Sequence, residues 1–487
     1  MIIPWGEYTP DFPALSNSAT TATNVIPHPK SYKQLNSLTS YSSALTAYCR
    51  GAFTGTDIDG NVRSYAGDAT KLYRLVSTTM TDSSKAAGYN SAVDSFWEFQ
   101  QFGNSVIASN FDDTPQTMTL GGSTFADLTG TPPRFRHIGV GRGFLIVGNT
   151  FDSSDGNIPY RIRWPGIGTI TSWTVSAATQ ADFQDLDSVF GWVQSIVGGE
   201  IIYVFQERAV WRMVYVGSPT VFDIVRIEDA RGVFAPRATI SVGGVVFYLA
   251  DDGFYGLAGG QSIPIGVGKI DKTFLADLND DFLYRVTAAA IPDDKVIIWS
   301  YPGSGSVDGT PNKCLLYNWA SRNWCSAEFN HELIYRAQSI GVTLEGLDAI
   351  SASLDALAFS LDSKVWMGGK LQLAAFDTSH RQAFFTGSAL AATLETGERQ
   401  IVQGRRAEVL SVVPLVDGGT HTVQVGTRET QNGTVSWSSA ATENSSGVCP
   451  VRSNSRYHRF RVNNTGSFNH AMGVEVPDDA IVDVGER

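Results

Sequence analysis

Charged residues are scarce in this chain: Asp, Glu, Lys and Arg together make up 17% of 487 residues. Hydrophobic residues reach 43%. That balance excludes wholesale disorder, which needs few apolar residues and high charge. Cysteine is scarcer still. Cys49, Cys314, Cys325 and Cys449 are widely separated and no C-x-x-C pair occurs, so spacing excludes zinc-ribbon and thioredoxin motifs. Cys314 and Cys325 could face each other across a hairpin, with free thiols the preferred reading. The seven histidines form no H-x-x-x-H or H-E-x-x-H pair, and His380 and His458 read as structural. No apolar run approaches 18 residues, so no membrane-spanning segment is expected. The start, Met1 to Glu7, lacks a basic n-region and an apolar h-region. No secretory signal is expected, and synthesis in the cytoplasm is.

Basic residues are also in deficit, 36 against 48 acidic, for a net charge of −12. Tight sequence-independent DNA binding relies on Lys and Arg neutralising phosphates, so this balance argues against it. DNA would slide past such a surface. What the chain has in quantity is glycine (48) with 11 Trp, 17 Tyr and 26 Phe. Aromatic side chains fit a pleated face and glycine supplies positive φ, a mix that suits many short strands joined by tight turns.

An internal repeat organises those strands. Each unit reads strand, Gly/Asn/Asp turn, strongly apolar strand, polar turn, strand. Units begin at turns Gly103-Asn104, Gly141-Arg142-Gly143, Gly198-Gly199, Gly243-Gly244 and Asp293-Asp294. Their second strands, such as Phe144-Leu145-Ile146-Val147 and Val296-Ile297-Ile298-Trp299, are apolar throughout, as expected of strands covered on both faces. A weaker unit lies at Tyr65 to Leu75, and another is expected at Lys364 to Gly369. Spacings of roughly 40–50 residues match propeller blades. The shared internal grammar favours a propeller over a sandwich of ordinary hairpins.

The fold expected is therefore all-β: a β-propeller over 41–404, an extended N-terminal arm over 1–40, and a small C-terminal β-sandwich-like module over 405–487. Short helices are expected at 269–284 and 344–359, where apolar residues recur at separations of three or four.

No catalytic constellation emerges. Gly139-x-Gly141-x-Gly143 sits between strands, where no helix N-terminus is offered to a phosphate. Asp57-x-Asp59-Gly60-Asn61 is half a calcium loop and reads as a turn. Asp251-Asp252, Asp280-Asp281 and Asp293-Asp294 are expected at solvated hairpin tips. The Asp-box of sialidases and the WD signature are both missing. The expectation is a non-enzyme without cofactor, catalytic residue or metal site. Arginines cluster in two places: Arg134, Arg136, Arg142, Arg161 and Arg163 in one unit, and Arg452, Arg456, Arg459 and Arg461 near the C-terminus. Alternate strand residues share a face. These are candidates for lumen or inter-subunit contacts, or ordinary solvated strand faces.

Several segments resemble the tail hub, or nozzle, proteins that stabilise packaged DNA in short-tailed bacteriophages. They are Pro10-Asp11-Phe12-Pro13-Ala14-Leu15, Asn24-Val25-Ile26-Pro27, Ala66-Gly67-Asp68-Ala69-Thr70-Lys71-Leu72-Tyr73 and Gln101-Phe102-Gly103-Asn104. Others are Tyr160-Arg161-Ile162-Arg163-Trp164 with Ser172-Trp173, Leu394-Glu395-Thr396-Gly397-Glu398, and Arg456-Tyr457-His458-Arg459. The resemblance implies a virion protein forming a homo-oligomeric ring, typically a hexamer. A portal adaptor protein would lie above it and tail fibre, spike or plug proteins outside or below. Double-stranded DNA would pass without sequence-specific contact. The alternative is a carbohydrate-binding or glycan-cleaving propeller acting as a host-surface adhesin.

Overall fold

A computed structural model of the protein describes all residues except 340, 343–346, 348–349, 352, 354–355, 358, 486 and 487. The repeat resolves into seven four-stranded antiparallel blades, each hydrogen-bonded in the order of its strands. Their first and last strands are Gly51–Thr56 and Thr79–Asp82 (blade 1), Glu98–Phe102 and Ala126–Asp127 (blade 2), and Arg134–Gly141 and Asp182–Asp185 (blade 3). Next come Val193–Val197 and Val221–Glu228 (blade 4), Ile240–Val242 and Gln261–Pro264 (blade 5), and Thr287–Ile291 and Asn323–Glu328 (blade 6). Blade 7 starts at Leu333–Gln338 and takes its outermost strand from the other end of the chain, Thr39–Ala44. Ser40 faces Ala383 there.

First strands lie beside first strands, and the last of them returns to Gly51–Thr56. Between blades 4 and 5 the link is a 2.6 Å hydrogen bond joining Ser195 Oγ and Thr239 Oγ1. Among the described residues the blades close into a seven-bladed β-propeller.

Glycines at the hairpin tips let the blades converge. A Cβ on Gly198 would sit 2.0 Å from the Val140 carbonyl oxygen, and one on Gly141 would sit 2.5 Å from Ile202. Further out, tryptophans pin neighbours together. Trp97 of blade 2 donates to the Asp68 carbonyl of blade 1 at 2.8 Å. Trp299 of blade 6 donates to the Ala238 carbonyl at 3.1 Å, and Trp324 to Ile265 at 3.2 Å. Each ring buries apolar area while its one polar atom is satisfied by the next blade.

The second body is a β-sandwich assembled from both ends of the chain. In one sheet Val25–His28, Ser31–Gln34, Ala471–Glu475, Arg406–Val416 and Cys449–Ser455 follow in order, with Ile2–Pro4 paired to Ala471–Glu475. In the other, Ala19–Thr23, Ala392–Thr396, Tyr457–Thr465 and Thr420–Arg428 continue outward from blade 6, because Thr23 bridges Ser326. One core cluster runs through both bodies, taking in Trp5, Val25, Trp299, Trp324, Val423 and Phe460.

The sequence reading of residues 1–40 as an arm meets a more integrated arrangement. Its strands complete the sandwich, and Thr39–Ala44 closes the ring. Ala392–Thr396, inside the range 41–404, likewise pairs within the sandwich. An isolated edge strand has unpaired backbone groups, and pairing with a distant segment satisfies them. The helix expected at 269–284 is present as Asp271–Asp277, followed by a 3-10 turn, Asp280–Arg285. Asp280 and Asp281 open that turn and occupy no hairpin tip, unlike Asp251-Asp252 and Asp293-Asp294. The segment Lys364 to Gly369 carries a 3-10 turn between the first two strands of blade 7. Much of the 344–359 helix reading lies outside the described residues. All four cysteines are free and buried; Cys314 faces Ala327 across the hairpin, and Cys325 faces Leu316.

Candidate functional site at the axial mouth

In a propeller whose first strands surround the axis, the residues that lead into those strands gather at one end. Here they are Tyr48 and Arg50 ahead of blade 1, Phe96 ahead of blade 2, Arg237 ahead of blade 5, and Tyr284 and Arg285 ahead of blade 6. Together with Val93 and Ser95 they enclose a small cavity of about 40 Å³.

Arg237 braces this end. Its Nη1 donates to the Arg50 carbonyl at 3.0 Å and its Nη2 to the Tyr284 carbonyl at 2.9 Å. Its guanidinium lies 4.8 Å from the Phe96 ring centroid. Burial pushes its pKa down to about 10, and Arg285 pushes the same way. Arg50 donates to the Ser91 carbonyl at 3.1 Å and to the Ala92 carbonyl. Burial and then Arg285 lower its pKa as well. Arg285 stacks 4.4 Å from the Tyr48 centroid, with Phe282 and Tyr284 alongside. Among the described residues, no carboxylate comes within 4.0 Å of these three guanidinium groups, and Arg285 donates no hydrogen bond.

Tyr48 also borders a depression of about 560 Å³ lined by Ser306, Val307, Asp308, Thr310, Asn312, Asn330, Glu332, Thr378 and His380. Glu332, 3% exposed, accepts from the Cys49 amide at 2.8 Å and from His380 Nδ1. Burial raises its carboxyl pKa, opposed by those two partners. The Tyr48 hydroxyl donates to the Glu332 carbonyl at 2.6 Å. Asp308 is held below the usual carboxylate range first by the Thr310 amide and then by its hydroxyl, with Arg285 adding a smaller contribution. The mouth thus places three guanidinium groups beside a wall of hydroxyls and amides that also carries the Asp308 and Glu332 carboxylates.

A larger cleft of about 850 Å³ lies where the sandwich meets blades 6 and 7. In it the rings of His28 and His470 are 5.4 Å apart, and Lys33 pairs with Asp294 at 3.5 Å. No group of three His, Cys, Asp or Glu among the described residues is arranged to hold a metal ion. Asp57 is an Asx turn: its Oδ1 accepts from the Asp59 and Asn61 amides at 3.0 and 2.8 Å, and its Oδ2 from Arg63. No helix of the described residues is long and apolar enough to cross a membrane.

The nine arginines singled out in the sequence do not form one surface. Arg161 is buried and paired with Asp155 and Asp185 inside blade 3. Arg163 pairs with Asp152 at 3.1 Å. Arg134 and Arg136 lie over aromatic rings, 4.1 Å from Phe151 and 4.2 Å from Phe111. Arg142 is at a hairpin tip with Glu200. In the sandwich, Arg459 and Arg461 converge on buried Glu395, and Arg459 also reaches Glu398. Arg456 is partly buried nearby, whereas Arg452 is 83% exposed and pairs with Glu408. Composition missed the axial arginines because each stands alone in the sequence. Their shared signal is position: all three sit one to three residues before a blade's first strand.

No family model matches the chain, and no curated protein matches it. Among solved structures it is similar to the extracellular domain of a one-component system from B. thetaiotaomicron. That match has 8% identity and a TM-score of 0.41, and covers 83% of this chain and 48% of the other. It is also similar to the WD40 domain of Neurospora crassa Pan2, at 7% identity and a TM-score of 0.39, covering 74% of this chain and 99% of the other. The chain spans about half the length of the first of these.

Proposed function

We propose that this chain is a structural virion protein, a subunit of a ring in a short bacteriophage tail through which DNA is retained and then ejected. The observation that carries the reading is apolar surface that the monomer does not need. Phe183, Val189, Trp192, Val216 and Val225 are exposed along the outermost strand of blade 3, the two outer strands of blade 4 and the segment between the blades. Blade 4 also ends in an eight-residue strand, Val221–Glu228, whose outer edge takes no partner strand among the described residues. Concentrated apolar exposure and open strand edges mark association surfaces. A contact between unlike faces of identical subunits closes into a ring when the rotation permits.

The segment resemblances and the net charge of −12 support the same reading, since an acidic lumen lets DNA move without adhering. The ring is homo-oligomeric, with a portal adaptor above and fibre, spike or plug proteins attached. Cryo-electron microscopy of the particle that encodes the chain tests this. A closed ring around a central channel below the portal is the expected result. Density at a fibre tip, or absence from particles, overturns it.

A further inference from the structure

We infer that the axial mouth is a binding site for an acidic sugar, with the carboxylate on Arg285 and the hydroxyls in the adjoining polar depression. The inference goes beyond ring assembly and does not depend on it.

Arg285 carries the argument. Its side chain is ordered by stacking on Tyr48, Phe282 and Tyr284, yet it has no hydrogen-bond or ion-pair partner among the described residues. A planar guanidinium held in place with its donors free is preorganised for a carboxylate, which it takes in bidentate fashion. Arg50 and Arg237 stand beside it with no carboxylate within 4.0 Å among the described residues, so three guanidinium groups gather at one mouth, with Asp308 acting on Arg285 from the adjoining depression. The Nε of Arg237, which lines the same cavity, is buried without a hydrogen-bond partner. The 40 Å³ space between them admits a group no larger than a carboxylate or a water or two.

The depression next to it suits the rest of a sugar. Its 560 Å³ falls within the roughly 300–1,000 Å³ range of small-molecule sites. Its wall mixes acceptors (Asp308, the Thr310 and Asn312 oxygens) with donors (the Asn330 amide, the Thr378 hydroxyl), which a polyol can satisfy on both counts. Val307, 91% exposed at the rim, and Tyr48 between the two cavities offer apolar surface to the C–H face of a pyranose ring. A bare phosphate would leave this wall unmatched, and a neutral sugar would leave the arginines unmatched.

The test titrates the full-length protein with glucuronic acid and N-acetylneuraminic acid, and with glucose, acetate and inorganic phosphate. Saturation-transfer NMR and calorimetry follow binding. The acidic sugars should bind saturably, with glucose, acetate and phosphate each at least tenfold weaker. Arg285→Gln should weaken the acidic sugars at least tenfold with an unchanged melting temperature, and Thr378→Ala should do so several-fold. Absence of saturable binding overturns the proposal. So does acetate or phosphate matching the acidic sugars, which would mean a simple anion site, or an Arg285→Gln variant that binds as the parent does.

Discussion

Gly67 and Trp97 are in contact across the boundary between blades 1 and 2: a Cβ on Gly67 would lie 2.4 Å from Trp97 Cδ1. The indole N–H donates to the carbonyl of the next residue, Asp68. No room is left for a methyl group, and the ring cannot retreat without losing that bond. Gly67→Ala should therefore cost about 1–3 kcal/mol, the usual range for overpacking a filled core. Urea denaturation checks this, and Gly60→Ala, at a turn with nothing within 4 Å but φ at +85°, serves as the strain-only comparison.

Asp68, fully buried, is the hub of the same boundary. It accepts from the Thr70 and Lys71 amides at 2.8 Å, the Tyr73 hydroxyl at 2.8 Å and the Thr46 hydroxyl at 2.9 Å. Asp68→Ala orphans the two amides and leaves the Thr46 and Tyr73 hydroxyls only each other, 2.8 Å apart, and should cost about 3 kcal/mol or more, whereas Tyr73→Phe should cost about 1 kcal/mol. Calorimetric melting of the two variants tests the order; equal losses would contradict a hub role.

Glu398 is almost wholly buried in the sandwich and pairs with Arg428 at 2.5 Å and Arg459 at 2.9 Å. Removing its charge in Glu398→Gln leaves two guanidinium groups undercompensated, a loss of about 3–5 kcal/mol. Arg452→Ala breaks only an exposed pair with Glu408 and should change stability by less than about 1 kcal/mol. Denaturation midpoints of the two variants separate these cases.

Two groups oppose each other as the pH falls. Burial pushes the Asp271 carboxyl up to about 6, so the folded state holds its proton more tightly than the unfolded chain does. The stabilisation this gives is full below pH 4 and is lost as pH rises through about 6. Asp271→Asn removes that dependence and should raise stability at pH 7 by about 2–3 kcal/mol relative to the parent. Burial pushes His331 and His458 the other way, down to about 4. Their unfolded forms take up protons first, so stability falls as pH drops from about 6.5 to 4. Imidazole proton shifts should show both rings neutral at pH 5.5; a midpoint near 6.5 for either would contradict their burial.

Assembly is predicted to depend on the blade 3–blade 4 surface. Trp192→Asp and Val225→Lys change exposed side chains, so each should leave melting within about 0.5 kcal/mol of the parent. Light scattering after size exclusion should then report monomer where the parent forms a ring. A ring that survives both substitutions would move the interface elsewhere.

The sequence by itself determined the hairpins. Glycine, asparagine and aspartate mark the tip of the first hairpin in blades 2 to 6, and the apolar second strands are buried as their composition required. Turn chemistry and side-chain period are local, so they can be read along the chain. Tertiary structure alone decided the number of blades, the strand that closes the ring and the membership of the sandwich. Pairs such as Ser40 with Ala383 and Ile3 with Val474 join residues hundreds of positions apart, and nothing near either partner specifies the other. The same holds for charge. Arg161 and Arg163 looked like a surface patch and pair inside their blade, whereas Arg50, Arg237 and Arg285, scattered in sequence, meet at the axis because closing the ring brings the lead-in residues of its blades to one point.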